Sequence, residues 1–151
     1  MRRARRQDGQ ALIEAALVIP MVLLIAVGIF EFGRAYQTWQ ILTNAAREGA
    51  RMAVVPSPNV ALVDARVRQY LVDGQLSSTA IAATNINIDR NASINVTLAT
   101  GPASVSASQV TINYPFQFIV LGPVARLMNG NPGTLGNSVN MQASAVMRNE
   151  M

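Results

Sequence analysis

Between Ala11 and Phe30 the chain runs for twenty residues with a single charged side chain, Glu14. As a helix such a run is ~30 Å long, the thickness of a bilayer's hydrocarbon core. Leu, Ile, Val and Ala dominate it, and Leu and Ala are good helix formers. Pro20 removes one backbone donor, so a bend is expected near Ala16, whose carbonyl loses its partner. Beyond the run, Phe32, Tyr36, Trp39, Thr43, Ala46, Ala50 and Ala53 recur at spacings of three and four, one face of a continuing helix. Glu31 with Arg34 and Glu48 with Arg51 are i,i+3 pairs that support it. Val54-Val55-Pro56-Ser57-Pro58 should end it, because residues before proline avoid the α region. The pattern predicts one helix over residues 10–53, half in lipid and half outside.

The remainder, residues 54–151, reads as a small α+β domain. Asn59 can cap a second helix whose apolar stripe is Val60, Val63, Val67 and Tyr70 or Leu71, with Gly74 as its stop. Residues 75–84 are rich in Ser, Thr and Ala and read as a loop. The period then changes to two. Ile86 and Ile88, then Ile94, Val96 and Leu98, alternate with polar residues around an expected Asp89-Arg90-Asn91 turn. Ala99 to Ser108 reads as a connecting loop, after which Val110, Ile112 and Tyr114 alternate, and later Val139, Met141, Ala143, Ala145 and Met147. Phe116 to Met128 is apolar, and Asn129-Gly130-Asn131-Pro132-Gly133 is a loop. The fold class expected is α+β: a long amino-terminal transmembrane helix extending into a small antiparallel sheet of four short strands.

Composition narrows the chemistry. The chain has no Cys and no His, so a zinc site and a Ser-His or Cys-His nucleophile are not expected. The acids are scattered, and no pair has a spacing that suggests acid/base catalysis. Neither enzymatic activity nor a cofactor is therefore expected. The formal charge of +4 is concentrated at the start, where Arg2, Arg3, Arg5 and Arg6 face only Asp8. Without residues 1–9 the charge is +1, since four positive charges and one negative are removed. A body so nearly neutral, with no basic stripe interleaved with aromatics, is no footprint for nucleic acid. The arginines suit a cytoplasmic flank, and Tyr36 and Trp39 suit the opposite membrane surface, which orients the amino terminus inward.

Two stretches stand out as candidate functional residues. The first is the junction Gly9-Gln10-Ala11-Leu12-Ile13-Glu14, with a basic leader before the glycine and an acid five positions after it. A charged side chain costs ~2.5–3.5 kcal/mol at the bilayer centre and less toward its edge, so an intramembrane acid points to a function. The plainer readings are a signal anchor with a solvated glutamate, or a secretory peptide cut near Ala26-Val27-Gly28. The second stretch is a strip of small side chains, Ala45, Ala46, Gly49, Ala50 and Ala53, that lets another helix or the protein's own sheet approach closely. Asn91-Ala92-Ser93 and Asn95-Val96-Thr97 fit a glycosylation pattern, and Arg2-Arg3 and Arg5-Arg6 a twin-arginine one, but neither has a supporting context.

The junction looks like the processing site of a type IV prepilin. Gln10-Ala11-Leu12-Ile13-Glu14, then Pro20, Gly28-Ile29-Phe30-Glu31-Phe32-Gly33-Arg34 and Asn44-Ala45-Ala46-Arg47-Glu48-Gly49-Ala50-Arg51, resemble the TadE-like family, the minor pseudopilins of the Tad (tight adherence) pilus. Tyr114-Pro115-Phe116 and the terminal Met147-Arg148-Asn149-Glu150 resemble that family more loosely. The main filament pilin of the system is far shorter and has a tyrosine where Ala15 stands here, so the resemblance points to a minor component. It implies removal of residues 1–9 by a prepilin peptidase between Gly9 and Gln10, and assembly through Glu14. The implied partners are that peptidase, other pseudopilins and the pilin, an inner-membrane assembly platform and membrane lipid. A membrane-anchored periplasmic binding or sensing module, with a ligand site between the sheet and residues 116–128, is the alternative.

Overall fold

The computed structural model describes residues 4–55, 59–98, 101–129 and 137–149. Arg2 and Arg3 of the leader, the Pro56-Ser57-Pro58 breaker, the loop residues Gly130 to Gly133, and Glu150 lie outside them. In chain order the elements are α1 (Ala4–Ala53), α2 (Val60–Asp73), α3 (Ser78–Ala82), β1 (Asn85–Leu98), β2 (Gly101–Phe116), α4 (Leu121–Asn129) and β3 (Val139–Arg148). The class is α+β, a long apolar amino-terminal helix followed by a three-stranded antiparallel sheet in the order β1-β2-β3. The chain divides into two units. One holds α1 as far as Arg34 with the segment from Phe118 through α4. The other holds α1 from Ala35 with α2, α3 and the sheet.

In the larger unit, β2 is the central strand and carries much of the core. Val110, Ile112, Tyr114 and Phe116 alternate toward one face and are buried there, with Leu42 of α1 and Val63, Val67 and Leu71 of α2. Gln109, Thr111 and Asn113 occupy the other face, where Gln109 and Thr111 reach the Ser144 hydroxyl of β3. This is the half-buried antiparallel sheet that period-two patterning describes. At the end of α1, the buried Ser108 hydroxyl lies 3.2 Å from the Ala53 carbonyl and 2.7 Å from Oδ1 of Asn149. That tie joins the last turn of α1 to β2 and to the residue after β3.

Helix α2 begins and ends on identifiable chemistry. Asn59 caps it, its Oδ1 accepting from the Ala61 amide at 2.9 Å. At the other end Gln75 N–H donates to the Val72 carbonyl and Leu76 N–H to the Leu71 carbonyl, the paired bonds of a Schellman motif. The left-handed position of that motif is Gln75, at φ 58°, and Gly74 sits at an ordinary φ of −73°. Gly74 is needed for space instead, because a Cβ there would stand 2.7 Å from Cγ2 of Ile41 on α1. Arg68 then fastens the next turn of chain, donating to Asp64 and to the carbonyls of Ile81 and Thr84.

Several local expectations are corrected. There are three strands, because the two expected before and after Asp89-Arg90-Asn91 form the single β1. Turn chemistry is present there, with the Asn91 amide donating to Oδ1 of Asp89, but it makes a bulge in which Arg90 and Asn91 stand opposite Ser108. The reason is β2, which extends back through the expected loop and pairs with both halves of β1. Residues 78–82, expected in a loop, form the short α3, and α4 occupies part of the apolar 116–128 segment.

Candidate functional site

At the amino-terminal junction Gly9, Gln10 and Glu14 are all exposed and all lie within α1. A Cβ at Gly9 would meet nothing within 4 Å, so a side chain there costs the fold nothing by contact. Glycine in a helix interior is nonetheless ~1 kcal/mol less favourable than alanine. Gln10 and Glu14 are four residues apart, which places them one turn apart on the same side of α1.

From there to Phe30 the helix is exposed almost throughout. Leu12, Ile13, Leu17, Val18, Ile19, Met21, Val22, Leu23, Leu24 and Ile25 are each more than half exposed, and none of the residues in the most apolar stretch is buried within the protein. A core helix of a water-soluble domain buries at least one such face. This helix is long and apolar enough to cross a membrane.

At the end of the run the charge pattern is resolved by contact. Glu31 is fully buried, and its carboxylate is an ion-pair partner of Arg34 at 3.0 Å. Its Oε1 accepts from the backbone amides of Val120 and Leu121, the latter at 3.4 Å. Glu31 is thus the anionic cap of α4, placed where the unpaired amides and the positive end of the helix dipole favour a carboxylate. Phe32 packs its ring edge-on against Phe118, with centroids 6.4 Å apart. Sequence reasoning saw the Glu31–Arg34 pair and missed the cap. No local pattern links residue 31 to residue 120; an acid directly after an apolar run, between two phenylalanines, was the sole hint.

The small-residue strip is placed inside the larger unit. Ala45, Ala46 and Ala50 are fully buried, Ala53 is 1% exposed, and Gly49 is buried between them. A Cβ on Gly49 would stand 2.6 Å from Cγ2 of Val67 on α2 and 3.3 Å from Cγ1 of Val110 on β2. The strip therefore lets the backbone of α1 approach its own α2 and its own sheet. The upper part of the face differs from the expected one. Thr38 and Leu42 are buried, whereas Phe32, Tyr36 and Trp39 are exposed. Tyr36 and Trp39 stack against one another at 6.3 Å, and the Tyr36 hydroxyl accepts from Nε2 of Gln40. Arg47 and Arg51 point to solvent. Arg51, by hydrogen bond and then by charge, holds the Glu48 carboxyl below the usual carboxylate range, and Arg66 at 3.5 Å adds to this. The same contact raises the Arg51 guanidinium.

Residues 9–51 match the family model described as TadE-like protein. The match begins at the junction glycine and runs through the exposed apolar helix into the small-residue strip as far as Arg51, so it is the amino-terminal segment that carries the likeness. No curated protein and no solved structure matches the chain.

Proposed function

We propose that the chain is a minor pseudopilin of a Tad-type pilus, anchored by residues 11–30 in the inner membrane with its α+β domain in the periplasm. The observation that carries the reading is the coincidence of the TadE-like match with one helix that is exposed over its apolar half and built into a folded domain over the rest. A prepilin peptidase cuts after Gly9 and frees the amino group of Gln10. The assembly platform then extracts the helix or docks it beside the helices of other pseudopilins and the pilin. Glu14 lies in the early turns of the mature helix, where the dipole favours a carboxylate. It pairs with the amino group of a neighbouring subunit and sets axial register. The pair is not a net source of stability, because desolvation can exceed the Coulomb gain. Its value lies in rejecting misregistered neighbours, each of which leaves a charge unpaired in lipid.

The test is complementation of a deletion strain, with pili counted by electron microscopy and surface attachment measured alongside. The wild-type chain should restore both. Glu14→Gln should be inserted, processed and stable, since removing an intramembrane charge eases insertion by up to ~3 kcal/mol, yet restore neither. Full piliation without the chain would contradict the function. Full piliation with Glu14→Gln would leave Glu14 a residue that merely reaches headgroups and water.

A further inference from the structure

The end of the apolar helix holds a second segment of chain that the pilus reading leaves unused. Glu31 immediately follows the twenty-residue run, and its carboxylate binds the amides of Val120 and Leu121. Phe32 and Phe118 add a ring contact at the same level. A helix that crosses a bilayer is a ruler of depth, at 1.5 Å per residue. Groups in hydrogen-bond contact with Glu31 therefore lie at the depth where the run ends. Lipid surrounds such a helix on all sides, so depth alone decides what a neighbouring segment meets.

What that segment presents is apolar. Ile119 is 59% exposed, Val124 44% and Val120 38%, and Pro123 is exposed as well. Ile29, Phe30 and Phe32 on α1 are exposed as well. Helix α4 has no acidic residue and one arginine, Arg126, in its last turn. A short amphipathic helix suits an interfacial position. The burial of Glu31 fits the same location, since its charge is met by Arg34 and by two amides.

We infer that residues 118–124 form a second membrane contact, lying in the headgroup and acyl boundary where α1 leaves the bilayer and held there by Glu31. The occupant of the exposed Ile119, Val120 and Val124 surface is lipid. The inference rests on residues 11–30 spanning the membrane.

The chain has no cysteine, so single-cysteine variants report one position each. Phe30→Cys, Ile119→Cys and Val124→Cys are labelled with an environment-sensitive fluorophore. Each full-length protein is reconstituted in phosphatidylethanolamine/phosphatidylglycerol vesicles containing a lipid with a quencher high on its acyl chain. Quenching at 119 and 124 should come within about twofold of that at Phe30, as for an interfacial helix. Adding Glu31→Ala should reduce it at 119 and 124 and leave it unchanged at 30. Labels at 119 and 124 that stay water-like, or that become apolar yet unquenched as under a protein partner, overturn the inference while quenching at 30 keeps the span. Absence of quenching at 30 as well overturns both. Persistence of quenching at 119 and 124 in Glu31→Ala overturns the anchoring role of Glu31.

Discussion

Gly49 and Gly74 show what a single missing Cβ can decide. Both lie where α1 comes close to another element, and neither needs an unusual backbone angle; of the described residues with positive φ, one is the non-glycine Gln75. Replacing Gly49 by Ala gains ~1 kcal/mol of helix propensity. Against this, the new methyl would stand 2.6 Å from a buried, β-branched Val67, with little freedom to yield. Overpacking of that kind typically costs ~1–3 kcal/mol. The clash should win, so Gly49→Ala should melt below wild type and Gly49→Leu lower still, by circular dichroism of detergent-solubilised protein. Gly33→Ala is the control, since nothing lies within 4 Å of its Cβ, and it should melt no lower than wild type. A Gly49→Leu protein as stable as wild type would mean that the strip is not held against α2 and β2.

Among the elements, α1 was the most legible in sequence, because its apolar run, its i,i+3 pairs and its proline stop are all local signals. The small-residue strip is buried, whereas Tyr36 and Trp39, which share its spacing, lie off that face. Periodicity alone cannot separate a core stripe from interfacial aromatics that share its spacing. The sheet was legible as alternation but not as connection. Asp89-Arg90-Asn91 has turn chemistry, and only the length of β2 decides that it bulges instead. The Glu31 cap was illegible because its partners lie 89 and 90 residues away. The candidate cleavage and assembly residues were legible only as a motif, and exposure is all that the fold adds to Gly9, Gln10 and Glu14.

The Glu48–Arg51 pair on α1 has a defined pH sign. The carboxyl is lowered in the folded protein, so its contribution is present above the unfolded-state value and lost as pH falls through the folded one. Exposed helix pairs contribute only a little, because solvent screens them. Glu48→Gln should therefore melt slightly below wild type at neutral pH, and the two melting curves should converge under acid conditions. A gap that widens as pH falls would contradict the assignment.

At the scale of the whole molecule, one helix is exposed and apolar over its first half and belongs to the folded domain over its second. The proposed orientation sets residues 1–9 in the cytoplasm, with arginines before the run and aromatics after it. A periplasm-only reporter fused after Gly74 should be active and a cytoplasm-only reporter silent; the reverse pattern would reject the orientation and the pilus reading together. The central claim is that this helix is that of a processed pseudopilin, and intact-mass measurement of the membrane protein tests it most directly. From wild-type cells the mass should lack residues 1–9, apart from any modification of the new terminus, and begin at Gln10. In cells without prepilin peptidase, and in Gly9→Leu, the residues should all be retained. Because a side chain at position 9 meets nothing in the fold, retention in that variant would report on the peptidase and not on misfolding. An intact start in wild-type cells, or a mature mass that persists in Gly9→Leu, would contradict the account.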